Sequence, residues 1–473
     1  NRGSVSTGYD IDNSLKIEAD NAERMQRVYS GQSGSISSRT PTSTKIATIS
    51  FWIKRTELQP SGNHLIFLAD ANYTWVGFNN DGLYILGSTA GINLRSNGKF
   101  RDTSAWYHIV VAFDTTQSTA SNRVKVYVNG EQWTEFGVSE NYGTQNNDID
   151  LYDVNTSHYL GWSDAQSQSG YYSEFYLIDG QQLAPTQFGE FDSDTGIWIP
   201  KAYTGSFGVQ GYHLDFEDSS ALGADVSGNG NNFTALYSIT AADQATDTPT
   251  NNFMTLNPLD NNWANVPIIN EGATNHHSDS ANFEGSSGTI AMSSGKWYWE
   301  IKTMHSDGNV YMLGIGSTQY GEVPGTQSPH DVLNFAGLYL ANSGTEGGLF
   351  VTDSTGGSVY RNAFNPGANY SANDIYGFAL DLDSSTQTIT FYRNGSNINP
   401  SSGAALDIAG ACSILPVTVR LSIHEREAQC NFGGYTEFSI SSAATDANGY
   451  GTFEYAPPSG YYAICTKNLA EYG

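Results

Sequence analysis

Oxygen-bearing side chains in the stretch DVSGNGNN are the best candidate for chemistry in this sequence. Asp225, Asn229 and Asn231 combine hard oxygen ligands with flexible glycines, which suits the roughly six to eight oxygens that calcium takes. The alternative is an Asn/Gly turn held by its own side-chain hydrogen bonds. Calcium is therefore the one cofactor for which the sequence offers ligands. A second, weaker candidate consists of three acids, Asp148, Asp150 and Asp153.

Hydrolysis of sugars would need two carboxylates about 5 Å apart as acid and nucleophile. The nearest match is EFDSD at 190–194, which reads as a solvated acidic turn without apolar alternation. The histidines are scattered. The pair His276 and His277 lies in a predicted polar loop, and His108 lies in a strand, where we expect a structural role. No zinc-type His pair or Gly-x-Ser-x-Gly motif occurs, so we predict no catalytic residues.

Aromatic side chains in polar loops are natural contacts for sugars or proteins, because they combine a flat apolar face with a polar edge. Tyr142, Trp162 and Tyr320 have such settings and are our candidate ligand-binding aromatics. Trp52 and Trp297, by contrast, lie in alternating segments and are predicted to belong to cores.

One pattern that would position these residues occurs twice. Residues 106–130 (WYHIVVAFDTTQSTASNRVKVYVNG) and 375–395 (IYGFALDLDSSTQTITFYRNG) each contain an apolar run, a polar loop, a second alternating strand and a final Asn-Gly. Asn-Gly favours the positive φ of tight hairpin turns. Two matched units of this kind predict two β-sandwich domains of related design.

The composition agrees with an all-β chain and excludes several function classes. The 473 residues include 50 glycines, only 15% are charged, and no long helix is predicted. With 21 basic and 48 acidic residues the formal charge is −27, which would repel nucleic acids and anionic lipid. No apolar run approaches the ~20 residues of a membrane helix. Three cysteines, in the last quarter, indicate buried thiols rather than a disulfide framework.

Four segments in order resemble a laminin-G-like domain of the concanavalin-A-like superfamily: SFWIK at 50–54, WYHIVVAFD at 106–114, RVKVYVNG at 123–130 and SEFYLIDGQQL at 173–183. A second set resembles the SPRY/B30.2 domain: GKWYWEI at 295–301, YMLGIG at 311–316, DIYGFALDLD at 374–383, TITFYRNG at 388–395 and NFG at 431–433. The SPRY resemblance implies a ligand surface on the loops at 317–333 and 341–358, which contain Tyr320 and His330.

The run between these domains resembles virion-associated proteins of tailed bacteriophages, especially marine ones. It comprises GIWIPKAYTGSFGVQGYHLDF at 196–216, DVSGNGNNF at 225–233 and TDTPTNNFMTLNPLD at 246–260, and PPSGYYAICTKNL at 457–469 resembles the usual end of those proteins. We expect an N-terminal arm (1–12), a laminin-G-like sandwich (13–216), a polar connector (217–251), a SPRY-like sandwich (252–440) and a C-terminal segment that packs back (441–473).

These observations predict two tandem concanavalin-A-like sandwiches in a non-enzymatic protein of the phage virion surface, either a tail fibre that binds a receptor or a capsid or tail decoration. Its expected partners are other virion proteins and a host surface glycan or protein, without nucleic acid or membrane insertion, and a homotrimer is one expected assembly. The protein is expected to be made in the host cytoplasm without a signal peptide. The alternatives are a polysaccharide depolymerase on the same fold and a non-viral carbohydrate-binding adhesin.

Overall fold

The computed structural model describes residues 8–31, 35–58, 61–70, 74–162, 166–260, 267–279, 283–306, 310–318, 334–340, 347–352, 358–360, 370–399, 403–408 and 415–473. These residues form two compact units, which divide between Asn251 and Asn252.

The first unit consists of short strands, and its described residues contain no α-helix. The strands are β1 Ser14–Ile17, β2 Arg24–Arg27, β3 Ile46–Arg55, β4 Asn63–Ala69, β5 Thr74–Asn79, β6 Gly82–Gly87, β7 Ile92–Arg95, β8 Trp106–Asp114, β9 Val124–Val128, β10 Glu131–Trp133, β11 Ser139–Tyr142, β12 His158–Leu160, β13 Gly170–Asp179, β14 Gly189–Phe191, β15 Trp198–Pro200, β16 Tyr212–Leu214, β17 Thr234–Leu236 and β18 Gln244–Ala245. Short 3₁₀ helices lie at Ile36–Ser38, Ala120–Asn122, Pro185–Gln187 and Ala241–Asp243.

Most of these strands form two sheets. Sheet A has the order β10-β9-β8-β3-β13-β1-β18, with β16 paired to β13, and sheet B has the order β11-β7-β6-β5-β4-β12-β2-β17. One apolar core contains side chains of both sheets. In it Phe51 and Phe175 of sheet A stack at 5.2 Å, and Phe67 of sheet B lies 6.0 Å from Phe175. The first unit is therefore a β-sandwich, as predicted.

The period-two pattern decides which side chains enter this core. In β9, Val124 and Val126 are buried in the core, whereas Lys125 and Tyr127 lie on the opposite face. Successive side chains of a strand point to opposite faces, so the alternation read from the sequence carries over directly to the structure.

The structure differs from the predicted connector at 217–251. Two strands of this segment join the sandwich, because β17 pairs with β2 and β18 pairs with β1. Asp247 also forms a buried ion pair with Lys54 of β3, at 2.7 Å. The predicted N-terminal arm is docked where it is described, since Ile11 is buried and its N–H donates to Thr250 Oγ1. The polar composition of 217–251 suggested exposure, but its polar groups are used for buried contacts.

The second unit is also almost entirely β. Its strands are β19 Ile268–Asn270, β20 Asn275–His277, β21 Phe283–Ser287, β22 Lys296–Thr303, β23 Tyr311–Ser317, β24 Phe335–Leu340, β25 Gly347–Thr352, β26 Ser358–Tyr360, β27 Ile375–Asp381, β28 Thr388–Arg393, β29 Ser396–Asn397, β30 Leu406–Asp407, β31 Val417–His424, β32 Glu427–Asn431 and β33 Tyr462–Ala463, and helix α1 is Thr466–Tyr472.

Two sheets again share one core. Sheet C has the order β19-β20-β32-β22-β27-β28-β29, with β30 on β28 and β33 on β22, and sheet D has the order β21-β31-β23-β24-β25-β26. Trp297 and Trp299 are fully buried in the core, and Trp299 stacks on Phe378 at 5.1 Å. The predicted loop at His276 is wrong, because this residue lies in β20 and its buried ring bonds to Ser286.

The repeated sequence unit forms the same hairpin in both sandwiches. Asn129 lies in the turn between β9 and β10 with φ 47°, and its Oδ1 accepts the His108 N–H at the open end of the β8–β9 hairpin, at 2.8 Å. Asn394 lies in the turn between β28 and β29 with φ 49°, and its Oδ1 accepts the Ile375 N–H at the open end of the β27–β28 hairpin, at 2.9 Å. Each Asn thus tolerates the left-handed conformation and also closes the end of its hairpin.

The C-terminal segment lies against sheet C. Strand β33 runs parallel to β22, with Tyr462 opposite Trp297. Glu300 of β22 is buried, and its carboxylate accepts the backbone N–H groups of Glu454 and Tyr455 at 2.9 and 2.8 Å. These bonds fasten the segment at a second point. Cys430 and Cys465 are buried thiols, and Cys412 lies outside the described residues.

Removing one charge of the Lys54–Asp247 pair should destabilise the first unit. Asp247→Asn leaves the buried Lys54 ammonium without its counter-charge, which costs about 3–5 kcal/mol and should lower the urea unfolding midpoint. The double variant Lys54→Met/Asp247→Leu should recover part of that loss, because apolar replacement of a buried ion pair is often neutral but the Trp106 Nε1–H loses Asp247 as its acceptor.

The matched control is the Lys45–Asp148 pair, whose side chains are 33% and 45% exposed. Asp148→Asn should cost no more than about 1 kcal/mol. Equal effects of Asp247→Asn and Asp148→Asn would contradict the docking of the 241–251 segment on sheet A.

Candidate functional site

The outer face of sheet A is covered by the chain itself. Val110, Tyr176 and Ile178, which point away from the shared core, pack against Phe188. Trp198 covers the next part of the face, where its Nε1–H donates to His108 Nδ1 at 3.0 Å. This face therefore offers no open surface at these positions.

The outer face of sheet B has an aromatic centre instead. In β5, Val76 and Phe78 enter the core, so Trp75 points outward. In β6, Ile85 enters the core, so Tyr84 points outward. The ring centroids of Trp75 and Tyr84 lie 4.2 Å apart, edge to face. The alternation that builds the core thus also places two large rings side by side on the opposite face.

A hollow of about 270 Å³ lies on this aromatic face. Its lining combines apolar and aromatic side chains with three polar ones: Asn63, Leu65, Leu68, Trp75, Tyr84, Leu86, Ser88, Trp162 and Gln166. Trp75 and Tyr84 are almost fully buried, whereas Trp162 is half-buried. Small-molecule sites commonly have such apolar and aromatic walls with a few polar groups, and this hollow lies just below their usual volumes of about 300–1,000 Å³.

A bulge and a glycine shape the face beside the hollow. The register between β4 and β5 shifts between Leu65 and Phe67, which brings Leu65 and Leu68 to the outer face. Gly77 lies on the same face, opposite Tyr84. A Cβ on Gly77 would lie 2.2 Å from the carbonyl oxygen of His64. Because a backbone atom cannot yield that far, only glycine fits at this position.

The side chain of Trp162 is held in place by Arg24. The guanidinium of Arg24 lies 5.4 Å from the Trp162 ring centroid and donates from Nη1 to the Trp162 carbonyl at 3.0 Å. Its Nη2 donates to Tyr237 Oη at 2.8 Å, and its carbon Cζ lies 4.6 Å over the Tyr237 ring. The ring of Trp162 therefore has a fixed position at the side of the hollow.

The four predicted ligand-contact residues have different outcomes in the structure. Trp162 lines the hollow. Tyr142 lies in β11 rather than a loop, where its ring packs on the core near Phe136 and its hydroxyl donates to Glu140 at 3.0 Å. Tyr320 and His330 lie outside the described residues. Sequence reasoning did not single out Trp75 or Tyr84: both lie in strands, where aromatic residues such as Trp52 and Trp297 were predicted to belong to cores.

The predicted calcium ligands have partners within the protein. Asp225 Oδ1 accepts the N–H groups of His213 and Ser227, and its Oδ2 accepts that of Asn231 at 2.7 Å. Asn229 donates to the carbonyls of Gly208 and Gly211. These bonds are those of the Asn/Gly turn weighed as the alternative. Calcium binding here stays a prediction.

Asn231 and the second acidic group are also engaged. Asn231 Oδ1 accepts Arg27 Nη2 at 2.8 Å. Asp148 bonds to Lys45 and Thr44, and Asp150 accepts the Thr89 N–H at 3.2 Å. Burial raises the pKa of Asp150 to about 6, and the neighbouring Asp153 contributes. Among the described residues, no group of three or more His, Cys, Asp or Glu side chains could hold a metal ion.

The acidic segment at 190–194 spans the end of β14 and the start of the turn to β15. Glu190 pairs with Lys201 at 3.1 Å, both half exposed. Asp192 accepts the Thr195 hydroxyl and N–H at 2.7 and 2.8 Å, and these bonds lower the pKa of its carboxyl. The carboxylates thus have structural partners on this hairpin.

A Ser–His contact exists, but its tautomer is wrong for catalysis. His108 Nε2 lies 2.9 Å from Ser50 Oγ, and His108 Nδ1 accepts the Trp198 Nε1–H. Since the indole nitrogen only donates, Nδ1 carries no proton and Nε2 must donate to Ser50. The imidazole therefore cannot take a proton from this serine, and His108 has the structural role expected of it.

Acid should destabilise the first unit through two buried imidazoles. Burial lowers the pKa of both His108 and His158 to about 3, against about 6.5 in the unfolded chain. Their contribution is fully present above about pH 6.5 and is lost as the pH falls toward 3, by about 1.4 kcal/mol per pH unit for each histidine. His108→Gln should reduce the pH dependence of the unfolding free energy between about pH 4 and 6 by that amount. An unchanged slope would contradict the neutral buried imidazole.

Residues 30–180 match the model of one protein family, described as the concanavalin A-like lectin/glucanases superfamily. The matched range contains Trp75, Tyr84 and Trp162. A comparison of the sequence with curated proteins found no match. No helix of the described residues is long and apolar enough to cross a membrane.

Several solved structures are similar to the chain. They include the SPRY domain of human HERC1 (12% identity, 37% of this chain and 94% of that chain, TM-score 0.25), domains LG4-5 of the mouse laminin α1 chain (11%, 96% and 96%, 0.28), and the carbohydrate binding module CBM66 from Bacillus subtilis (13%, 34% and 83%, 0.21). The predicted fold class is confirmed: the chain is an all-β protein of antiparallel sandwiches, and residues 30–180 match the concanavalin A-like lectin/glucanases superfamily.

Proposed function

We propose that the protein is a non-enzymatic carbohydrate-binding protein of a phage virion surface, and that it holds a sugar in the hollow on sheet B. The observation that carries the sugar site is half-buried Trp162 beside the polar Asn63, Ser88 and Gln166 in one lining, with the buried Trp75 and Tyr84 rings as its aromatic floor. A sugar ring has apolar C–H faces and a polar hydroxyl rim, so it suits aromatic walls with polar groups nearby.

The fold and its family agree with this proposal. The superfamily whose model matches residues 30–180 comprises lectins and glucanases, and the hollow lies on a sheet of the matched sandwich. Fold alone does not establish function. The argument for binding therefore rests on the residues of the hollow.

The depolymerase alternative has less support from the described residues. Glu190 forms an ion pair with Lys201, and Asp192 accepts the Thr195 N–H within its own turn. Both carboxylates therefore have structural partners. Ser50 lacks a base, because His108 donates to it. Release of reducing ends from a capsule or algal polysaccharide, lost in Glu190→Gln, would favour the depolymerase over our proposal.

The virion setting rests on the resemblance of 196–216, 225–233 and 246–260 to phage proteins. In that setting the partners are other virion proteins and a host surface glycan or protein, the protein is made in the host cytoplasm, and a trimer is one proposed assembly. A non-viral adhesin with the same sugar site is the alternative. Immunogold labelling of purified phage particles would distinguish the two, because only a virion protein would be detected on the particles.

Trp162→Ala should weaken glycan binding by about tenfold or more, because central aromatic contacts commonly contribute about 2 kcal/mol or more. Binding is measured on a glycan array and on whole cells, followed by calorimetry with the strongest array ligand. The matched control is Tyr142→Ala, another half-buried aromatic of sheet B, which lies outside the lining of the hollow and should retain affinity. Equal losses in both variants, or no glycan bound by the wild type, would contradict the proposed site.

The same assay tests calcium. Since the Asp225 oxygens accept backbone N–H groups, we expect a chelator to leave glycan binding unchanged. Binding that is lost in chelator and restored by calcium would instead support the predicted ligands Asp225, Asn229 and Asn231.

A further inference from the structure

The outer face of sheet B differs in charge from the rest of the chain. The chain has 48 acidic and 21 basic residues. The described strand positions that point outward from sheet B nevertheless contain two arginines, Arg24 and Arg95, and no Asp or Glu. Neither arginine forms an ion pair with a described carboxylate. The outward strand positions of this face thus carry two positive charges and no negative one, and the carboxylate of Asp70 lies beside Tyr159 at its β12 side.

Arg95 is fixed in place beside the hollow. Its carbon Cζ lies 4.0 Å over the ring of Tyr84, which lines the hollow, and its Nη2 donates to Tyr84 Oη at 2.9 Å. Its Nε is buried without a hydrogen-bond partner among the described residues. Stacking on an aromatic ring fixes the plane of a guanidinium and leaves its N–H edge available to an anion.

Asn93, two residues earlier in β7, adds an unpartnered acceptor. The two side chains lie on the same face of β7, and Asn93 is opposite Leu86 just as Arg95 is opposite Tyr84. Leu86 and Tyr84 both line the hollow. Asn93 Oδ1 is buried and has no partner among the described residues. A buried polar atom without a partner costs about 1–3 kcal/mol, and a rotation of the side chain that turned this atom toward a ligand would remove that cost.

Arg24 has a different role at the far side. Both of its terminal nitrogens are already bonded, to the Trp162 carbonyl and to Tyr237 Oη. It positions the Trp162 ring, and its Nε, like that of Arg95, is buried without a partner among the described residues. Arg95 differs in that only its Nη2 is bonded within the described part of the chain, so its Nη1 is the group that it can offer to an anion.

We propose that the hollow selects an acidic sugar, one that carries a carboxylate or a sulfate group. The anionic group of one sugar residue binds Arg95, Asn93 Oδ1 turns to accept a hydroxyl of that residue, and a neighbouring ring of the same oligosaccharide lies against Trp162 on the other side of the hollow. This inference rests on the proposed carbohydrate site and specifies its ligand class. The net charge of −27 does not oppose it at physiological salt, because charges beyond about 8–10 Å are screened there.

The test compares acidic oligosaccharides with neutral counterparts of the same backbone. Alginate oligosaccharides and their carboxyl-reduced forms make one pair, and sulfated and desulfated carrageenan oligosaccharides make the other. Calorimetry on the full chain in 150 mM NaCl should show about 10- to 100-fold tighter binding of one acidic form, the range expected for a hydrogen bond to a charged group. A difference within the alginate pair would identify a carboxylate as the anionic group of the ligand, and a difference within the carrageenan pair would identify a sulfate.

Two variants locate the selectivity. Arg95→Gln should remove the preference for the acidic form and leave affinity for the neutral form within about twofold. Asn93→Asp, which adds a negative charge beside Arg95 and keeps the side-chain size, should weaken the acidic form alone. Lys125→Gln, on β9 of sheet A, is the charge-matched control and should change neither affinity.

Equal wild-type affinity for acidic and neutral forms would overturn the acidic selectivity. Loss of both affinities in Trp162→Ala would in that case still support the sugar site itself. An unchanged acidic preference in both Arg95→Gln and Asn93→Asp would also overturn the assignment. Failure to bind either form, or any glycan of the array, is the separate result that contradicts the carbohydrate proposal.

Discussion

Two buried lysines on the outer face of sheet A determine how the rest of the first unit is built. Lys54 lies 2.7 Å from Asp247, and Lys16 lies 3.2 and 3.1 Å from Glu23 and Asp243. Taking an ammonium group out of water costs several kcal/mol unless a counter-charge accompanies it. Asp243 and Asp247 belong to a segment far along the chain, so sheet A reaches its buried state only when that segment docks.

Docking of this segment leaves sheet B as the face with open surface. The outer face of sheet A is covered by Asp247, Trp198 and Phe188, which contact Lys54, His108 and Tyr176. On sheet B the corresponding positions carry Trp75 and Tyr84 around a hollow. The two faces of the sandwich therefore have different uses: one is closed by the chain for stability, and the other remains available to a ligand.

Patterns that act over a few residues were predictable from the sequence. The alternation of Val124 and Val126, the burial of Trp297 and Trp299, and the two Asn-Gly hairpins all follow from period-two geometry and turn chemistry. Contacts between distant segments were not predictable. The polarity of 217–251 indicated a connector, because a sequence does not reveal that Asp247 has a buried lysine as partner.

The candidate site shows the same limit. Trp162 was found because a tryptophan in a polar loop is conspicuous. Trp75 and Tyr84 were missed because the composition of a strand does not show whether an aromatic side chain points toward the core or away from it. Which face of a strand meets the core depends on register, and the register here depends on the bulge between Leu65 and Phe67.

The burial of the aromatic rings has a consequence for how a sugar would bind. Trp75 and Tyr84 are only 4% and 3% exposed, so stacking on them buries little additional apolar surface and contributes little free energy. Half-buried Trp162, the polar groups of the lining and Arg95 beside it must then supply most of the affinity, which favours selectivity over tight binding at one site. Many copies on one particle would raise the overall affinity by effective concentration without any new contact, and this is how a weak, selective site suits the proposed virion surface.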